Sequence, residues 1–167
     1  MTPRHVIIKQ RIQAQGFCGL DDKTYQQLNY PLRLSPAICM LWAALGTYLS
    51  SPLILWLLVP FAALGAILPG HPFDTLYNYG LRKISNTPRI PTYPARRRFA
   101  CVMATVMIII AAWGFQAGYP LLGQIMGWSL VAAAFVNVST GFCVPSFIAR
   151  LIIGKSKCVT AINPQNF

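Results

Sequence analysis

The sequence predicts an all-α integral membrane protein, with four transmembrane helices arranged as two hairpins and amphipathic segments along the cytoplasmic surface. Three observations predict it. Only 10% of the 167 residues are charged while 55% are hydrophobic, far from the makeup of a water-soluble domain. No Lys, Arg, Asp or Glu stands between Arg33 and Asp74, or between Arg98 and Arg150. Each gap holds two spans of about 20 residues joined by a tight turn. Every basic side chain falls outside both gaps.

The elements follow in order. Residues 1–35 open with "MTPRHVIIKQRIQ", a mixed basic stretch without an apolar block. No cleavable signal peptide is expected, and the first span directs insertion. "PAICMLWAALGTYLS" (36–50) and "LILWLLVPFAALGAILP" (53–69) are the first two spans, parted by the turn signal Ser51-Pro52. Residues 70–98 form a loop. Within it Phe73, Leu76, Tyr77, Leu81 and Ile84 fall on one helical stripe. Pro72 suits a first turn and Asp74 the positive end of the dipole, so a helix lying on the membrane surface is expected. "FACVMATVMIIIAAWGF" (99–115) and "LLGQIMGWSLVAAAFVNVST" (121–140) flank the turn "QAGYP" and complete a membrane domain over 36–153. Phe142, Pro145, Phe147, Ile148, Leu151 and Ile152 extend it as a second interfacial segment, and 154–167 is a tail. The runs are slightly short, and flanking Arg and Tyr complete them by snorkelling.

Orientation follows from charge. Arg4, Lys9, Arg11, Lys23 and Arg33 precede span one. Arg82, Lys83, Arg89, Arg96, Arg97 and Arg98 lie in the central loop, and Arg150, Lys155 and Lys157 in the tail, which accounts for all 14 basic residues. The positive-inside rule places both termini and the central loop in the cytoplasm of a bacterial inner membrane. The net charge of +11 is thus one-sided. It is expected to meet anionic lipid headgroups, chiefly through Arg82, Lys83, Arg96, Arg97 and Arg98, at roughly 1 kcal/mol per residue near the surface. The loop carries no nucleic-acid-binding motif.

The hairpins are weakly alike: "NYPLR" (29–33) and "TYPAR" (92–96) each precede an apolar segment containing Ala and Cys, as in a parallel duplication. Small residues mark helix seams or contacts with another subunit: Gly123 and Gly127, Ala62 and Ala66, and Ala100 and Ala104.

Chemistry is sparse. No ionisable residue lies in a predicted span, which disfavours ion-coupled carriers and voltage sensors. The only acids are Asp21, Asp22 and Asp74, and the only histidines His5 and His71. No GxSxG, HExxH, CxxC or P-loop appears, and neither cofactor nor metal is expected. His71 reads as a helix cap or a phosphate contact. Cys18, Cys39, Cys101, Cys143 and Cys158 all fall near the cytoplasmic leaflet, where thiols stay reduced. Cys143, between Gly141 and Pro145 where the last span breaks, is the candidate thiol, with Arg150 placed to activate it.

The stretch "PARRRFA" entering the third span, and "NVSTGFCVPSFIARLIIGK" closing the fourth, resemble the small bacterial four-helix membrane proteins of domain of unknown function 4395. The resemblance covers roughly residues 30 to 155, and Gly141-Phe142-Cys143 is its most specific element. It implies the architecture and draws attention to Cys143, but supplies no reaction; the segment before Tyr30 departs from the family.

The expected function is a non-enzymatic accessory or assembly subunit of a larger inner-membrane complex, respiratory or photosynthetic, with other membrane subunits or further copies of the chain as partners. The alternatives are a thiol protein relaying sulfur species or reducing equivalents through Cys143, and an oligomeric pore for a neutral solute across the GxxxG face.

Overall fold

A computed structural model describes residues 3–82 and 88–153. Among them the regular structure is entirely helical. The helices are α1 (Pro3–Ala14), α2 (Asp22–Leu28), α3 (Pro31–Tyr48), α4 (Pro52–Ile67), α5 (Pro72–Leu76), α6 (Ala95–Gln116), α7 (Pro120–Thr140) and α8 (Val144–Ile153). A π-helical turn, Tyr77–Leu81, continues α5.

The long helices close a ring: α3 packs on α4 and α7, and α6 packs on the same two. Prolines open α3, α4 and α7 in their first turns, where the missing N–H costs nothing. Glycine ends α7, with Gly141 at φ 75°, the left-handed conformation that suits it. The middle of the ring is lean. Ala43, Ala62, Ala111 and Ala112 pack with Leu55, Leu58 and Ile108, so the helices approach closely, as small residues permit.

The outer faces are apolar. Leu41, Leu53, Leu57, Val102, Leu121, Ile125 and Phe135 are all exposed, a surface that water does not favour. Two helices, α6 and α7, are each long and apolar enough to cross a membrane. α4 has 16 residues, about 24 Å of rise, and passes that test only together with the segment after it, as one bent span.

The loop helix departs from expectation. The chain bends by 76° between α4 and Pro72–Gly80, and α5 contacts α3 and α4 at the end of the ring. The expected stripe is therefore split: Tyr77 is buried while Leu76 is 66% exposed. Ile84 lies outside the described residues. By contrast α8 keeps Ser146 and Ala149 inward and turns Phe147, Ile148 and Leu151 outward, as an interfacial helix does.

α1 and α2 dock on the same end of the ring. Ile12, Phe17, Tyr25 and Leu28 form one cluster with Leu32, Tyr77, Ile90 and Tyr93. Polar side chains from α1, the turn after it and the start of α3 reach the C-terminal end of α7. Arg33 donates to the Val138 and Ser139 carbonyls at 2.8 and 3.0 Å, Arg11 donates to the Thr140 carbonyl, and Gln15 donates to the Gly141 carbonyl at 3.0 Å. Cations and donors at a helix C-terminus satisfy its orphan carbonyls and complement its dipole.

Candidate functional site

The bend after α4 carries His71 and Asp74 inside, and both are almost fully buried. Asp74 accepts hydrogen bonds from the Ser35 hydroxyl of α3 and the Tyr93 hydroxyl. Tyr93 is placed by its own amide, which donates to the Pro69 carbonyl at 2.7 Å. Asn78 steadies the same segment, its side chain pairing with the Ile90 backbone. One carboxyl group thus ties three segments together.

Arg97 is buried too. The reason begins at Pro36, inside α3, which cannot bond the carbonyl one turn back, that of Leu32. Arg97 takes that carbonyl at 2.6 Å and Gln15 Oε1 at 2.8 Å. Its guanidinium lies over the Tyr93 ring, 4.6 Å from the centroid, and over Phe17 at 5.5 Å.

The thiols complete the group. Ser35 and Cys39 share a face of α3, and Arg97 and Cys101 share one of α6, each pair one helical turn apart. His71 Nδ1 accepts from the Phe73 amide at 3.4 Å, which assigns the ring proton to Nε2. Nε2 stands 3.7 Å from Cys39 Sγ and donates to it. The ring packs against Gly65 of α4; a Cβ there would strike His71 and sit 3.3 Å from Cys101 Sγ. Gly65 is the gap that admits both groups.

Ser35, Cys39, His71, Tyr93, Arg97 and Cys101 line one cavity of about 120 Å³, whose remaining wall is apolar, with Met40, Ala62, Ala104, Ile108, Leu130 and Ala134. Cys39 and Cys101 are free thiols. Among the described residues no cluster of three or more His, Cys, Asp or Glu is arranged to hold a metal ion.

Burial holds His71 down at about 4, from its ordinary 6.5, against the pull of Asp74 and with help from Arg97. The unfolded chain therefore takes up the proton first on acidification. Stability is full above about pH 6.5 and falls by about 3 kcal/mol as pH drops toward 4. The unfolding temperature in detergent should fall between pH 7 and pH 5, and His71→Asn, which keeps a capping acceptor, should flatten that dependence.

The residues singled out from the sequence are placed as follows. Cys143 is a free thiol outside this cavity, in a smaller one of about 110 Å³ with Arg11, Gln15 and Ser146; it stays an electrostatic neighbour of Arg97. The Arg150 side chain, Lys83 and Cys158 lie outside what is described. Cys18 is disulfide-bonded, which corrects the expectation of five reduced thiols. Arg96 and Arg97 are buried and turn inward to carbonyls, Arg96 to that of Ala14 at 3.4 Å, rather than out to headgroups. Arg98 is half-buried and Arg82 is exposed. Gly127 meets Thr47 of α3, and Gly123 meets Phe115 of α6, so both glycines sit at contacts within the ring. Ala62 is buried and Ala66 half-buried.

His71 does cap α5, but its thiol neighbour escaped sequence reasoning, as did Ser35, Asp74 and Tyr93. The one-turn spacings and the single acid beyond Asp22 were the signals present.

The fold and site define a helical bundle with at least two helices suited to a bilayer and a thiol-lined cavity at its basic end. The chain belongs to the family described as Domain of unknown function (DUF4395), whose model matches residues 29–153, from the start of α3 to the end of α8. α1 and α2 lie outside the match. No curated protein and no solved structure matches the chain.

Proposed function

We propose that the protein is a four-span membrane thiol protein whose cavity accepts a sulfur species at Cys39 and Cys101. The observation that carries this reading is that two free thiols from different helices line one cavity, with a buried imidazole against the Cys39 sulfur. It keeps the sulfur chemistry expected from the sequence and moves it from Cys143 to the cavity. In the reaction, one cavity thiol gives up its proton and attacks the outer sulfur of a low-molecular-weight persulfide. The S–S bond of the donor breaks, the donor leaves as a thiol carrying that proton, and the sulfur remains on the protein as a persulfide. His71 Nε2–H orients the Cys39 sulfur and offers it a hydrogen bond.

In this reading α3, α4, α6 and α7 all cross the bilayer of a bacterial inner membrane. Trp56, Trp113, Trp128, Tyr48 and Tyr119 are exposed on the half of the bundle bearing the two tight turns, as in an interfacial aromatic belt. The basic residues hold the other end, and the positive-inside rule supports a cytoplasmic side for it.

Intact-mass measurement after exposure to a small persulfide is the test. Wild type and Cys143→Ser should gain one sulfur atom, and the Cys39→Ser/Cys101→Ser double variant should gain none. An adduct that survives the double variant, or is lost only with Cys143, removes the cavity from the chemistry. The accessory-subunit role draws support from the outward apolar faces of α6 and α7, which lipid covers equally well; a partner co-purifying in mild detergent would favour it.

A further inference from the structure

The chain has three acidic residues, and they leave Arg97 without a contacting counter-charge. Asp22 pairs with Lys9 at 2.7 Å, the one ion pair among the described residues. Asp21 is exposed and holds the start of α2. Asp74 is occupied by Ser35 and Tyr93. The neutral acceptors on Arg97, an amide oxygen and a carbonyl, do not cancel its charge, and Asp74 attracts it only from beyond the Tyr93 hydroxyl. A buried cation in that state is costly unless an anion joins it.

The cavity that Arg97 lines is the place for that anion. Resting on the thiol reading above, we infer that the cavity binds a small, weakly hydrated monovalent anion of sulfur, hydrosulfide or the terminal sulfur of a persulfide, against the Arg97 guanidinium. Size limits the ligand first: about 120 Å³ is slightly below the volume of an engineered cavity that holds benzene, about 150 Å³. Wall chemistry limits it next. Alanine, leucine and isoleucine side chains replace none of the hydrogen bonds a phosphate or sulfate would surrender, whereas a polarisable anion surrenders fewer. The guanidinium is itself weakly hydrated, and the thiols of Cys39 and Cys101 supply polarisable contacts. His71 Nε2–H and Arg97 are the donors on hand.

Thiocyanate is the probe, because it is small, polarisable and chemically inert toward thiols. Its general effect on proteins is to destabilise, so a specific site acts in the opposite direction. The unfolding temperature of the purified full chain in mild detergent is read with rising sodium thiocyanate against sodium chloride at equal ionic strength. A saturable rise of roughly 5 °C or more near 100-fold saturation is expected for wild type. It should vanish in Arg97→Gln and in Ala134→Leu, which fills the cavity and leaves Arg97 in place; should Arg97→Gln fail to fold, Ala134→Leu decides. No rise in wild type, or a rise undiminished in Ala134→Leu, overturns the inference. The Cys39→Ser/Cys101→Ser double variant separates the two readings. A thiocyanate response kept there, with no sulfur taken up on the cavity thiols of wild type, sinks the thiol reading and leaves the anion site standing. Sulfur uptake on the cavity thiols without any thiocyanate response sinks the anion site alone.

Discussion

Asp74→Ala is expected to cost the fold about 3 kcal/mol, because it strands two buried hydroxyl donors at once. Those of Ser35 and Tyr93 both end on this carboxyl group, and each side chain is itself buried. In a chain of this length the change should lower the unfolding temperature in mild detergent by roughly 6 to 12 °C. Asp74→Asn retains one acceptor oxygen and should recover part of the loss. Tyr93→Phe and Ser35→Ala should each cost about 1 kcal/mol alone, and Tyr93→Phe should cost less in the Asp74→Ala background, where its hydroxyl has already lost its acceptor. An unaltered unfolding temperature in Asp74→Ala would show that the carboxyl group does not knit α3, α5 and the Tyr93 segment together.

Gly127→Ala is expected to cost about 2 kcal/mol by overpacking, and larger side chains should abolish a folded bundle. The new Cβ would lie 2.6 Å from Thr47 Cγ2 and 3.0 Å from Thr47 Cβ. Rotating the threonine moves the first atom and not the second, so α3 and α7 must separate. Thr47→Ala in the same chain removes the branch and should restore much of the loss. The rescue costs little in itself, since the buried Thr47 hydroxyl has no hydrogen-bond partner. Purified yield and unfolding temperature of the two single variants and the double variant measure the coupling. Additive losses would place the glycine away from this seam.

The long helices were legible because an uninterrupted apolar run leaves few alternatives: 99–115 and 121–140 became Ala95–Gln116 and Pro120–Thr140. The errors at their starts have physical causes. A reading that stops at charge excludes Arg96, Arg97 and Arg98 from a helix, yet Arg96 and Arg97 find carbonyls inside the fold. A reading that begins a span at Pro36 misses five residues of α3, because the Leu32 carbonyl that the proline orphans is satisfied by a side chain 65 positions beyond it, a partner no local pattern reveals. The same is true of the site. The periodicity of "HPFDTLYNYGLRKI" suits a helix lying on a membrane, and nothing local encodes the 76° turn that carries His71 and Asp74 inside. Cysteine placement near one leaflet was readable; which cysteines meet was not, since Cys39 and Cys101 come together only through tertiary packing around Gly65.

The contacts between the first helix and the close of α7 also constrain how the molecule is made. Arg11 and Thr140 are 129 positions apart, so the ribosome must add all of α7 before Arg11 can find this partner. Until then Arg11 and Gln15 lack these acceptors while the bundle grows. A nascent chain halted short of Gly141 would therefore leave Arg11 and Gln15 without the carbonyls they hold at the close of α7.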